Sequence, residues 1–417
     1  MSARDPAPPP PRAPRPGRAC DDRPSREAAR ARAAGTARAW AEISLDAIRD
    51  NVRALLGAAP GARLLAVVKA DAYGHGAVEV ARAAVASGAW GLGVATVEEG
   101  VELRRAGLAS PVLILGPAPP EHLETAVGHD LAITAFRLDT AQAASRAAAR
   151  AGREARLHLK VDTGMGRIGA APEDAVALAQ AIRALPRVAL EGCFTHLATA
   201  DEPDLAPARS QLATFRALLR ALEAAGVGPL VRHAANSAAT LRLPEARFDL
   251  VRCGIALYGI APAAHLRGVR LRPAMRLCAR VAHTKRVAAG TPIGYGWAYR
   301  APRATTIATI PVGYADGYPR LAGGSGGVAV GGRRVPIAGR VSMDQITVDA
   351  GEVPVAVGDE VELWGAAIGV EEVAAAAQTI SYEVLARVPR RVPRVFLDGG
   401  RVRAVRTLLG TIPGVPG

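Results

Sequence analysis

Between about residues 45 and 255, short apolar runs alternate with longer segments rich in Ala, Leu and Arg whose apolar positions recur at helical spacing. Eight runs stand out, at residues 64–68, 90–94, 112–115, 131–134, 156–161, 188–195, 230–232 and 249–252. Short continuous apolar runs suit strands buried on both faces, and their alternation with helices is the pattern of repeated βα units around a parallel sheet. Eight units in this length favour a closed (β/α)8 TIM-type barrel over an open doubly wound sheet. The sequence carries no Gly-rich dinucleotide fingerprint that would favour the open form.

After about residue 270 the pattern changes to alternating segments such as Arg280-Val-Ala-His-Thr-Lys-Arg-Val and Gln345-Ile-Thr-Val-Asp, separated by Gly-rich turns. This predicts a second, mostly β domain, with residues 323–332 as a hairpin or loop. The expected organisation is a Pro/Arg-rich tail over 1–36, the barrel over 37–268, the β domain over 269–400 and a C-terminal tail over 401–417.

A length of 417 residues accommodates two domains, and a hydrophobic fraction of 50% permits a large core. The net charge of +14 comes from arginine spread along the chain without aromatic interleaving, so it reads as solvated surface rather than a nucleic-acid footprint. Four cysteines show no paired metal spacing and are too few for a disulfide scaffold, which fits a reducing cytoplasm. The first 36 residues have no apolar core of a secretory signal and are expected to be disordered. No apolar run is long enough to suggest a membrane span.

Composition also isolates three residues. Lys and Arg together number 52, yet lysine occurs only at Lys69, Lys160 and Lys285. Arginine does not lose its proton in a protein, whereas a lysine desolvated by burial can attack a carbonyl. Lys69 closes the first apolar run and Lys160 lies near the end of the fifth. In a barrel of this type the active face is formed by the C-terminal strand ends and the loops after them. Those ends supply Lys69 and Tyr73; Lys160, Asp162 and Arg167; Thr195 and His196; His233, Asn236 and Ser237; and Arg252, Gly254 and Ile255. The loops after strands seven and eight are the usual phosphate site of the fold. An imine-forming amine, an anion cradle and an arginine that could face a pyridine nitrogen together match the requirements of pyridoxal 5'-phosphate.

The stretch Ala66-Val-Val-Lys-Ala-Asp-Ala-Tyr-Gly-His-Gly76 resembles the cofactor-attachment motif of the alanine racemases. Further resemblances follow in order: Leu159-Lys-Val-Asp-Thr-Gly-Met-Gly-Arg-Ile-Gly169, Phe194-Thr-His, His233-Ala-Ala-Asn-Ser237, Val251-Arg-Cys-Gly-Ile255, Gly294-Tyr-Gly296, Pro311-Val-Gly-Tyr-Ala-Asp-Gly-Tyr318, Gly339-Arg-Val-Ser-Met-Asp-Gln345 and Ile380-Ser-Tyr-Glu383. They cover residues 38–397. The resemblance implies a pyridoxal phosphate-dependent isomerase that interconverts L- and D-alanine and supplies D-alanine for peptidoglycan. Lys69 would hold the cofactor and Tyr295 would act as the second base, on the opposite face of the substrate. Tyr73, His196, Ser237, Arg252, Gly254, Ile255 and Tyr382 would surround the cofactor. Arg167 and the N–H of Met343 would clamp the substrate carboxylate. Lys160 matches a position that is carbamylated in some members, and Tyr314, Asp201, Arg320 and Arg340 match the access corridor. Because Tyr295 and Met343 lie in the second domain, the resemblance implies a head-to-tail homodimer with shared sites; the charge distribution and the apolar run lengths add the expectation of no nucleic-acid or membrane partner. Ser342 stands where some members carry cysteine. The alternatives are a racemase for serine or a broader range of amino acids, a decarboxylase of the same architecture, and a non-catalytic carrier of the cofactor.

Overall fold

The computed structural model describes residues 37–266 and 268–413. Strand β1 (Ala39–Ser44) precedes the barrel. The eight predicted apolar runs each form a strand: β2 (Arg63–Val67), β3 (Gly91–Val94), β4 (Val112–Ile114), β5 (Ala132–Ala135), β6 (Ala155–Lys160), β7 (Val188–Phe194), β8 (Val231–His233) and β9 (Leu250–Cys253). From β2 to β8 each pairs in parallel with its sequence neighbour, and β9 pairs in parallel with β2. Between β8 and β9 the barrel closes through single bonds rather than a ladder. The Asp249 N–H donates to the Arg232 carbonyl at 3.1 Å, and the Arg252 N–H donates to the Ala235 carbonyl at 2.9 Å.

The second domain contains an eight-stranded sheet in the order Arg333–Pro336, Gly327–Val330, Glu360–Trp364, Met275–Arg280, β1, Arg394–Asp398, Arg401–Thr407, Gly410–Pro413. A three-stranded sheet joins His283–Val287, Thr305–Ile310 and Ile346–Gly351. Within 323–332, Gly327–Val330 turns back on Arg333–Pro336 through Gly331 and Gly332, both at positive φ as a tight hairpin turn requires.

Two boundaries differ from the expectation. Residues 39–44 belong to the second domain, not the barrel: β1 runs antiparallel to Met275–Arg280 and parallel to Arg394–Asp398. Its Trp40 packs with Cys278, Val395, Leu397 and Val405, and burial of both faces makes it a central strand. The barrel segment begins at the helix Leu45–Ala58, capped by Ser44, whose Oγ accepts the Ala47 N–H at 3.1 Å. The expected tail over 401–417 is also displaced. Asp398-Gly399-Gly400, with both glycines at positive φ, turns Arg401–Thr407 back along Arg394–Asp398, and Gly410–Pro413 extends the sheet. Residues 1–36 and 414–417 lie outside the described residues.

The domains are stapled by polar groups. Buried Asn51, on the first barrel helix, donates to the carbonyls of Leu257 and Arg272 and accepts the Arg272 N–H at 2.8 Å.

Candidate active site

The C-terminal ends of the barrel strands surround a cavity of about 500 Å³. Lys69, Tyr73, Lys160, Arg167, His196, Asp201, Ser237, Arg252, Gly254, Ile255 and Tyr382 all line it. Tyr382 comes from the second domain, on the helix Ser381–Ala386. A larger, more open concavity at the other end of the strands, around Arg63, Phe248 and Asp249, contains none of the residues singled out from sequence.

Lys69 starts a short turn, Lys69–Tyr73, with unusual backbone geometry. Ala70, Asp71, Ala72 and Tyr73 all have φ between 51° and 55°. A left-handed turn costs an L-residue roughly 1–2 kcal/mol, so four in succession persist only where surrounding groups hold them. One such group is Glu99. Its Oε1 accepts the Ala70 N–H at 2.7 Å while its Oε2 accepts the Ala95 N–H at 2.7 Å. Glu99 also completes a capping box with Thr96 at the start of the helix Val97–Arg105, a signature present in the sequence as Thr96-Val-Glu-Glu99 but not assigned a role from it. Burial lowers the Lys69 pKa and the nearby Arg167 charge lowers it further, against an opposing pull from Glu99.

Arg252, at the end of β9, is buried with its guanidinium 5.2 Å from the Phe194 ring centre. Its Nη1 lies 3.1 Å from His233 Nδ1; its Nη2 lies 3.2 Å from His196 Nδ1 and donates to the Thr195 carbonyl at 2.8 Å. A guanidinium only donates, so both imidazoles accept at Nδ1 and, being neutral, carry their proton on Nε2. The series continues inward: His233 Nε2 lies 3.0 Å from His158 Nδ1, and His158 Nε2 lies 4.0 Å from a Glu191 carboxylate oxygen. Burial and the Arg252 charge push the His196 pKa down to about 3, and burial lowers Arg252 to about 10, so at neutral pH the imidazole stays neutral and the guanidinium charged.

Arg167 is presented by a loop wound around one carboxylate. Asp162 Oδ1 accepts the N–H groups of Gly164, Met165 and Gly166, and Oδ2 accepts that of Arg167 at 3.1 Å. Gly169 closes the loop where a Cβ would sit 2.4 Å from the Asp162 nitrogen. Lys160 Nζ lies 5.5 Å from the Phe194 ring centre, and burial together with Arg167 and Arg252 lowers its pKa to about 8.

Where β8 and β9 end, Ser237 Oγ accepts the N–H of Gly254 at 3.0 Å and of Ala256 at 3.4 Å. A Cβ on residue 254 would meet the Tyr73 hydroxyl at 2.5 Å, so glycine keeps this corner open beside the two phenols, Tyr73 and Tyr382. A desolvated amine, a hydroxyl corner left open by glycine and a buried fixed cation fit pyridoxal phosphate: Lys69 would hold its carbonyl carbon, the Ser237, Gly254, Ile255, Tyr73 and Tyr382 corner its phosphate, and Arg252 its ring.

Tyr295 and Met343 are not in this cavity. Both lie on the second domain, with Tyr295 71% and Met343 53% exposed. Gly294 and Gly296, both at positive φ, hold Tyr295 outward, and the Arg340 guanidinium lies against Gly296. Tyr314 and Ala315 donate backbone N–H groups to the Ser342 and Met343 carbonyls, so this part of the second domain is one platform. Buried Asp316 organises it, accepting from Arg391, Arg38 and the Gly313 N–H. Tyr314, Arg320 and Arg340 also lie off the cavity, whereas Asp201 lines it.

The alanine racemase N-terminal domain model matches residues 43–262 and the alanine racemase C-terminal domain model matches residues 274–396. An alanine racemase of Symbiobacterium thermophilum is 49% identical over 363 residues, covering 86% of this chain and 96% of its own length. One of Desulfosudis oleivorans is 48% identical over 378 residues, covering 87% and 97%. Among solved structures, alanine racemase from D-cycloserine-producing Streptomyces lavendulae superposes with a TM-score of 0.83 at 46% identity, covering 87% of this chain and 97% of that one. The Bacillus anthracis alanine racemase with bound L-Ala-P superposes with a TM-score of 0.84 at 40% identity, covering 89% and 98%. With matches over both domains and nearly the whole length of these relatives, the chain belongs to the alanine racemase family.

Proposed function

We propose that this chain interconverts L-alanine and D-alanine with pyridoxal 5'-phosphate bound in the barrel cavity. The observation that carries the reading is the desolvated Lys69 amine facing a cavity whose inner wall is the fixed, charged guanidinium of Arg252. The cofactor, when bound, supplies a carbonyl for the amino group and a conjugated ring that acidifies the α-C–H bond. Lys69 Nζ takes or returns the α-proton on one face. The Tyr295 hydroxyl does so on the other, because inversion requires the proton to leave and arrive on opposite sides. Arg167 binds the substrate carboxylate, a role suited to a planar guanidinium, and the Met343 N–H adds a second donor. His196, neutral with its free Nε2–H, stabilises the Tyr295 phenolate.

Tyr295 reaches a cavity only from a second copy of this chain. The exposure of Tyr295, Trp297 and Met343 on one chain supports a head-to-tail homodimer with two shared sites. Lys160, its pKa brought to about 8, has a free-amine fraction near neutral pH that can take up carbon dioxide as a carbamate beside Arg167. Free, buried Cys193, Cys253 and Cys278 suit a reducing cytoplasm, where the product would feed peptidoglycan synthesis. Incubation with L-alanine and cofactor in deuterated water tests the reaction. Racemisation with deuterium at the α-carbon is expected; cofactor binding without exchange would leave a carrier protein, and release of carbon dioxide a decarboxylase. The same assay with serine reads the substrate range.

A further inference from the structure

The left-handed turn behind Lys69 is held from the second domain. Arg394 and Arg406 are direct register partners across the strand pair Arg394–Asp398 and Arg401–Thr407, which sets two guanidinium groups side by side. Asp71, in the middle of the turn, reconciles them. Arg406 Nη1 donates to Asp71 Oδ1 at 2.9 Å and Arg406 Nη2 pairs with Asp71 Oδ2. Arg394 Nη2 lies 4.0 Å from the same carboxylate, and Arg394 Nε donates to the Gly74 carbonyl at 3.0 Å. The carboxylate also accepts the Ala77 N–H at 2.9 Å. The Arg406 and Asp71 side chains are each 18% exposed, so the pair is largely shielded from solvent. Arg406 lies beyond residue 396, where the family match ends.

The two ends of this turn, Lys69 and Tyr73, both line the cavity, while its centre, Asp71, faces away toward the arginines. A left-handed run of L-residues relaxes when its anchor is removed, and relaxation here moves the amine and the phenol together. We propose that Arg406, acting through Asp71, is a positioning residue that sets where Lys69 and Tyr73 enter the cavity. This rests on the reading of Lys69 as the cofactor lysine.

The test compares Arg406→Ala, Arg406→Lys and Asp71→Asn with Arg403→Ala, which removes an exposed guanidinium from the same strand. In the full-length chain without added cofactor, acylation of Lys69 is followed by mass spectrometry across pH, with exposed Lys285 as internal reference. In the loaded enzyme, kcat and KM for alanine are measured. Arg406→Ala and Asp71→Asn should each change the Lys69-to-Lys285 rate ratio and lower kcat by about 10- to 100-fold, the scale of a small misplacement of a reacting group, with KM within about twofold. Arg406→Lys should recover part of both, and Arg403→Ala should match the parent. An unchanged ratio and kcat in Arg406→Ala, or a loss of thermal stability alone, would overturn the proposal. Should Arg406→Ala fail to fold, the Arg406→Lys and Asp71→Asn ratios decide in the same way. Borohydride reduction of the loaded parent that labels a peptide other than the one carrying Lys69 would instead overturn the reading of Lys69 itself, without bearing on whether the acylation ratio moves.

Discussion

Arg252 Nη2 sits 3.2 Å from His196 Nδ1, and because the guanidinium has no lone pair to offer, the imidazole is fixed as the Nε2–H tautomer. The ring is therefore a donor toward the cavity, not a base. Replacing Arg252 by Lys keeps a positive charge but removes the planar fork that reaches His233, His196 and the Thr195 carbonyl together. Racemisation should fall by at least about tenfold, the order of one lost charge-assisted hydrogen bond. Steady-state kinetics with both enantiomers checks this.

Lys69→Ala removes both the cofactor attachment and one proton carrier. Activity should fall by more than about 10³-fold, beyond the lower end of what a single acid–base group supplies. Reduction of the loaded parent with borohydride, followed by peptide mapping, should place the cofactor on the Lys69 peptide, with no labelled peptide in the variant.

Tyr295→Phe removes the other carrier and leaves Lys69 in place. Racemisation should fall by about 10²- to 10⁴-fold, while exchange of the α-proton with deuterated water persists for one enantiomer only. Equal exchange of both enantiomers would remove Tyr295 from the chemistry.

Mixing Lys69→Ala with Tyr295→Phe subunits tests whether sites are shared. If each site takes Lys69 from one copy and Tyr295 from the other, every mixed dimer contains one intact site. Random pairing should then restore about a quarter of parent activity, following from the twofold symmetry of such a dimer. Sites contained within one chain would show no recovery on refolding the mixture.

Lys160 should carry a carbamate in bicarbonate-equilibrated protein. A carbonyl resonance from ¹³C-bicarbonate, absent in Lys160→Arg, reads it directly. Because the pKa is about 8, occupancy should rise as pH increases from 7 to 9.

Stability should decline below pH 6.5. Burial holds His75 at about 4 and His158 at about 3, and His233 is also lowered well below the ordinary 6.5. Below 6.5 the unfolded chain binds protons that the folded chain refuses. The stabilisation is thus complete above 6.5 and is lost progressively toward the folded values, at about 1.4 kcal/mol per histidine per pH unit. Thermal melts from pH 7.5 to 5 should show the slope, and His158→Asn should flatten it.

The barrel strands were legible because most are buried and carry a short apolar run between helical segments, while the Gly-rich turns marked the second domain. Strand β1 escaped because its partners are remote in sequence, at residues 275–280 and 394–398. The hairpin from Arg401 is signalled in the sequence only by its turn residues, Asp398-Gly399-Gly400. At the site, the residues that touch the cavity could be read from strand ends and family motifs. The groups that hold those residues could not. Asp71 and Arg406 are 335 residues apart, and neither local periodicity nor spacing links them. The winding of the Arg167 loop around Asp162 and the hold of Asp316 on the Tyr314 segment likewise follow from no local pattern.

The placement of β1 also bears on how the molecule is made. A strand made before the barrel, with Trp40 and Ile43 among its residues, finds no sheet to enter until Met275–Arg280 and then Arg394–Asp398 have been synthesised. The barrel can close in the meantime, but the sheet of the second domain is completed only once Arg394–Asp398 has been made. Such late, long-range pairing is slow and leaves apolar edge exposed while it waits. A premature stop between Arg280 and Arg394 therefore yields more than a truncated enzyme: it leaves β1 paired on one side only, with its other edge open to pair with another molecule.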